Sequence, residues 1–98
     1  MLDQLSISDF SPYLNQNITI RFAPGLELSA TLIDARSWGD LIENQRQPFS
    51  LIFRAAQKNE YYPQAIYTLI HPTLGELPIF FVPLGPDAQG MRYEAVFN

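Results

Sequence analysis

The chain has 98 residues, 47% apolar and 13% aromatic, which is too rich for disorder and enough for one small core. Its net charge of −4, with six Lys and Arg and no two adjacent, excludes the clustered cations that nucleic-acid surfaces and basic membrane patches depend on. Absence of cysteine excludes disulfides, thiolate catalysis and cysteine-ligated metal.

The first ten residues, MLDQLSISDF, lack a basic stretch followed by an apolar one, and no apolar run approaches the ~20 residues that span a bilayer. The expectation is a cytoplasmic protein with no membrane partner. Ser6 or Ser8 can cap a short helix whose apolar face is Phe10, Tyr13 and Leu14, and Pro12 limits it to a turn or two. Asn17 to Phe22 alternates, with Ile18, Ile20 and Phe22 on one face. After Pro24-Gly25, a type II turn signature, Leu26, Leu28, Ala30 and Leu32 alternate with Glu27, Ser29 and Thr31. This predicts a hairpin ending near Ala35.

Arg36 to Gln47 is polar and predicts a loop, with room for a helical turn over Asp40–Asn44 and with Trp38 pinning it to the core. Phe49, Leu51 and Phe53 then share a strand face. Ala55 to Gln64 predicts a second loop with Lys58, Asn59 and Glu60 at its tip, followed by Tyr61-Tyr62-Pro63. Ala65 to His71 is a fourth strand, and Pro72 to Gly75 a tight connection in which Gly75 is free to take positive φ. Glu76 to Val82 is a fifth strand, Gly85 to Gly90 a turn, and Met91 to Phe97 a sixth. The chain therefore predicts a single all-β domain over residues 1–98: a small antiparallel six-stranded barrel or sandwich with a short N-terminal helix.

No residue set forms a recognisable active site, metal site or cofactor cradle. His71, the one histidine, has no H-E-x-x-H partner spacing and stands where a strand enters a proline turn, which favours a backbone-bonding role. Of the ten carboxylates only Asp40 and Glu43 share helical spacing, and the glycines form no phosphate-binding pattern. The expectation is a non-enzymatic protein without cofactors.

The later strands carry the functional signal. If Phe49, Leu51, Phe53, Tyr67, Leu69, Ile79 and Phe81 point inward, Ile52, Ile66, Ile70, Phe80, Val82 and Val96 must point outward. Such a second apolar face needs a cover: the N-terminal turn, the Arg36–Gln47 loop, or another chain. Pro78 and Pro83 mark the fifth strand as an edge, suited to a contact with a protein partner or a second copy. Arg54 and the Tyr61-Tyr62 loop beside it are residue types enriched at interfaces. The candidate interface is thus Arg54, Tyr61, Tyr62, Phe80 and Val82. A six-stranded barrel holding an apolar or aromatic ligand in its mouth is the second reading.

The pattern PFSLIFR…Q-x-x-Y-x-L-x-HP-x-LG…FFVPLGPD…YEAVFN resembles a small bacterial family catalogued as a domain of unknown function. The matching residues are Pro48, Phe49, Arg54, Gln64, Tyr67, His71, Pro72, Gly75, Phe80, Pro83 and the stretch Tyr93 to Asn98. The resemblance implies no catalytic residues. It implies a place beside phage-tail-collar proteins of the microcystin-dependent type, and hence a role as an assembly partner of a fibre-like or surface protein. One position departs: Ala65 stands where the family usually has Gly, which puts a special backbone conformation there in question.

Overall fold

Six strands close on themselves in a computed structural model that describes residues 4–40, 42–57 and 60–98. They are β1 (Asn17–Ala23), β2 (Leu26–Ser37), β3 (Phe49–Ala55), β4 (Ala65–His71), β5 (Gly75–Pro86) and β6 (Met91–Phe97). The order around the wall is β1-β2-β3-β6-β5-β4, with every neighbouring pair antiparallel. The architecture is therefore two three-stranded meanders, β1-β2-β3 and β4-β5-β6, joined along two seams. The β3–β6 seam is paired over seven rungs, Phe49↔Phe97 to Ala55↔Met91. The β1–β4 seam has three, ending at Arg21↔Thr68.

Period-two patterning places the core as expected. Ile18, Ile20 and Phe22, Phe49, Leu51 and Phe53, Leu69, Ile79 and Phe81, and Met91, Tyr93, Ala95 and Phe97 are all buried. Gly25 (φ +75°) and Gly75 (φ +79°) turn the two tight hairpins through left-handed backbone. Ala65 opens β4 without positive φ.

Each end of the barrel is plugged. At one end the short N-terminal helix forms as two consecutive 3-10 turns, Ile7–Asp9 and Ser11–Tyr13. The Asp9 carboxylate accepts the Ser6 N–H at 2.9 Å, and Phe10 is driven fully under Phe49, Phe97 and His71. Leu14, expected on the same face, points out and is 42% exposed, because the chain leaves the second turn in extended backbone (ψ 132°). Arg46 reaches this end from the β2–β3 loop. It donates to the carbonyls of Leu5 and Asn98 and stacks over Phe49 and Phe97.

The other end is capped by the β3–β4 connection, which must cross the barrel because β3 and β4 are not neighbours in the wall. Tyr62 from this crossing stacks on Phe22 at 4.5 Å. The buried Tyr93 hydroxyl accepts the Tyr62 N–H at 3.0 Å and donates to Gln57 Oε1 at 2.6 Å.

Three expectations need correction. β5 is no edge strand: closure puts it between β4 and β6, and Pro83 sits at a bulge where the β5–β6 register shifts, which lets the strand continue to Pro86. Trp38 does not pin its loop to the core but is 40% exposed, since the loop leaves the barrel as a continuation of the β2–β3 ladder, with the Trp38 N–H bonded to Pro48 O. The described part of Asp40–Asn44 holds a single turn closed by Gln45 N–H to Ile42 O, with Asn44 at φ 64°, and no helix; Leu41 lies outside the described residues. The expected loop tip at Lys58-Asn59 also lies outside them.

Candidate interaction surface

Strand alternation forces a second apolar face outward, and nothing in the described chain covers its centre. Ile66 on β4 is 66% exposed and lies directly across from Phe80 on β5, itself 51% exposed. Val96 on β6 is 50% exposed. Val82, two residues along from Phe80, is half-buried opposite Glu94, which also faces Ile52 of β3. The N-terminal turns and the Arg36–Gln47 loop, both weighed as covers, lie elsewhere: the turns plug the barrel end and the loop extends the β2–β3 ladder.

The five residues expected at an interface separate into four places. Phe80 and Val82 occupy the outward face of β5. Tyr61, 61% exposed, lines an open groove of about 370 Å³ with Pro83, Leu84, Gly85, Pro86 and Met91, formed where β5 bulges. Tyr62 turns inward as the aromatic cap on Phe22. Arg54 does not reach either tyrosine. Its Nε and Nη2 grip the Asp87 carboxylate at 2.6–3.1 Å, and Asp87 also accepts the N–H groups of Gln89 and Gly90. This clamp neutralises a like-charge rung, since Arg54 pairs with Arg92 across β3 and β6. Gly90 is required beneath it, because a Cβ there would stand 2.1 Å from Ala55 O.

His71 is a structural residue. Its Nε2 bonds Asp9 O at 2.6 Å, its Nδ1 accepts the N–H groups of Thr73 and Leu74 at 3.1 Å, and the rings of Phe10 and Tyr13 meet it edge-on. These partners fix the Nε2–H tautomer and leave neither ring nitrogen for chemistry. Among the described residues no group of three or more His, Asp or Glu is placed to hold a metal ion.

Electrostatic perturbation follows the ion pairs. The Arg54 guanidinium, with the Gln89 and Gly90 amides, lowers the Asp87 carboxyl, and the Arg21 guanidinium lowers that of Glu76. Burial raises the Tyr93 phenol. Arg21 links Glu27 of β2 to Glu76 of β5 at 3.0–3.2 Å, on the outer wall over the β1–β4 seam. Sequence reasoning missed this triad: Arg21 and Glu27 face each other within the β1–β2 hairpin, but Glu76 joins them only when the barrel closes.

A closed six-stranded antiparallel barrel, packed inside and plugged at both ends, defines a scaffold whose outer wall is its free surface. The chain belongs to the family described as a domain of unknown function (DUF6916), which matches residues 5–97. No curated protein and no solved structure matches it. No helix among the described residues is long and apolar enough to cross a membrane.

Proposed function

We propose that the protein is a non-enzymatic interaction module that docks a protein partner, or a second copy of itself, on the outward face of β4, β5 and β6. The uncovered pair Ile66 and Phe80, flanked by Val96 and Val82, carries this reading: large apolar side chains side by side on a sheet surface gain from being buried against another chain. The full engagement of His71 by backbone groups supports a role without catalysis. The ligand-in-barrel alternative draws little support, since Phe53, Phe81, Leu32, Leu51, Leu69 and Leu77 fill the interior.

Tail-collar-type fibre proteins, which the family resemblance sets beside such chains, are the partner class to try first. The test is light scattering of the chain alone, and co-purification with such a neighbour, for the wild type and Phe80→Glu. Phe80 is half exposed, so the variant keeps its fold, and its association should weaken by at least about tenfold. A wild type that is monomeric at high concentration and captures no neighbour, or a Phe80→Glu variant that associates normally, would overturn the proposal.

A further inference from the structure

The two seams of the barrel are closed unequally, and the difference lies at one place. β1 and β4 pair from Thr19↔Ile70 to Arg21↔Thr68 and then part, although β1 continues through Ala23 and β4 begins three residues earlier at Ala65. The backbone of Ala23 and that of Ile66 therefore face each other without a ladder between them. Between them is an open groove of about 540 Å³ with Phe22 and Tyr67 in its lining and the Pro24-Gly25 turn along one side. The rings of Phe22, Tyr62 and Tyr67 pack together at this mouth.

We propose that this unzipped seam is a strand-addition site that takes an extended, basic and apolar segment of a partner protein along the free edge of β4. The proposal rests on the interaction-module reading above and names the class of partner for it. Three features select that occupant. A strand edge with unspent N–H and C=O groups is satisfied by another extended backbone and by little else. Ile66, 66% exposed beside that edge, offers an apolar contact to alternate residues of the added strand. The charge at the last rung is acidic: Glu27 and Glu76, with side chains 45% and 63% exposed, share the single guanidinium of Arg21. Lysine or arginine in the incoming segment complements the remaining negative charge, in keeping with the net −4 of the chain.

The test is an amide-resolved NMR titration of the whole chain with an alternating lysine–valine heptapeptide. Controls are the glutamate–valine counterpart and the lysine–valine peptide N-methylated on alternate backbone nitrogens. Shifts concentrated at Ala23, Ile66 and Tyr67 are expected, with about tenfold weaker binding for both control peptides and for the Ile66→Ser chain. Binding that survives N-methylation unchanged would overturn strand addition, as would shifts centred on Phe80 and Val96 or no binding at millimolar peptide. Phe80→Glu separates the two readings. If the peptide fails while Phe80→Glu still breaks association, this inference alone falls. If the peptide binds at the seam while Phe80→Glu changes nothing, the outer-face reading falls.

Discussion

Tyr93→Phe removes one oxygen atom from the middle of the cap that closes the barrel. The ring is fully buried, and its hydroxyl ties the β3–β4 crossing to β6 through both Gln57 and Tyr62. Deleting it leaves Gln57 Oε1 without a donor at a buried site and the Tyr62 N–H without an acceptor at a half-buried one. A buried group left unpaired costs about 1–3 kcal/mol, and the half-buried amide recovers part of its loss from water. The expected cost is about 2–3 kcal/mol, read as a fall in Tm of roughly 10–20 °C in a domain of this size. Far-UV circular dichroism with heat and urea measures it. Adding Gln57→Leu removes the stranded acceptor, so the double variant should be more stable than the sum of the two single losses by about 1 kcal/mol. A Tyr93→Phe chain within about 0.5 kcal/mol of wild type would refute the account of the cap.

Phe10→Ala should cost about 3–5 kcal/mol, because it empties the plug between Phe49, Phe97 and His71; equilibrium urea unfolding checks this. Gly90→Ala should destabilise by about 4 kcal/mol or prevent folding, since Ala55 O occupies the space of the new methyl; soluble yield and thermal melting report it. Acid should weaken the Arg54–Asp87 clamp. The Asp87 pKa is lowered on folding, so its contribution is present above the unfolded value near 3.8 and is lost as pH falls through the lower folded value. Comparing the acid limb of stability for wild type and Asp87→Asn tests it, the variant losing less on acidification.

Much of the fold was legible because period two is a local property. β4 and β6 begin and end where the alternation of Ala65–His71 and Met91–Phe97 says they should, and Gly75 takes the positive φ that its turn required. What the sequence left open was long-range. Barrel and sandwich differ here by whether Thr19 finds Ile70 and Phe49 finds Phe97, pairs that no local pattern encodes. β5 ran past Val82 because a bulge absorbed Pro83, a proline that reads as a terminator. At the candidate surface, the outward position of Phe80 followed from alternation with the buried Ile79 and Phe81. The fates of Tyr62 and Arg54 did not, since Phe22 and Asp87, the partners that hold them, lie in distant segments.

The division of the wall into two meanders also bears on how the chain reaches this state. Within each meander neighbouring strands are joined by a turn or a single loop, so their hydrogen bonds can form from short-range encounters. The rungs of the β3–β6 and β1–β4 seams join segments far apart in sequence, and closing them carries most of the loop entropy of folding. Closing these two seams is the expected slow event, with a rate in the millisecond-to-second range typical of β-barrels. Until β6 finds β3, the inner faces of both halves are open to any other chain at hand, so crowding with copies of itself during synthesis is the time at which this protein is most exposed to misassembly.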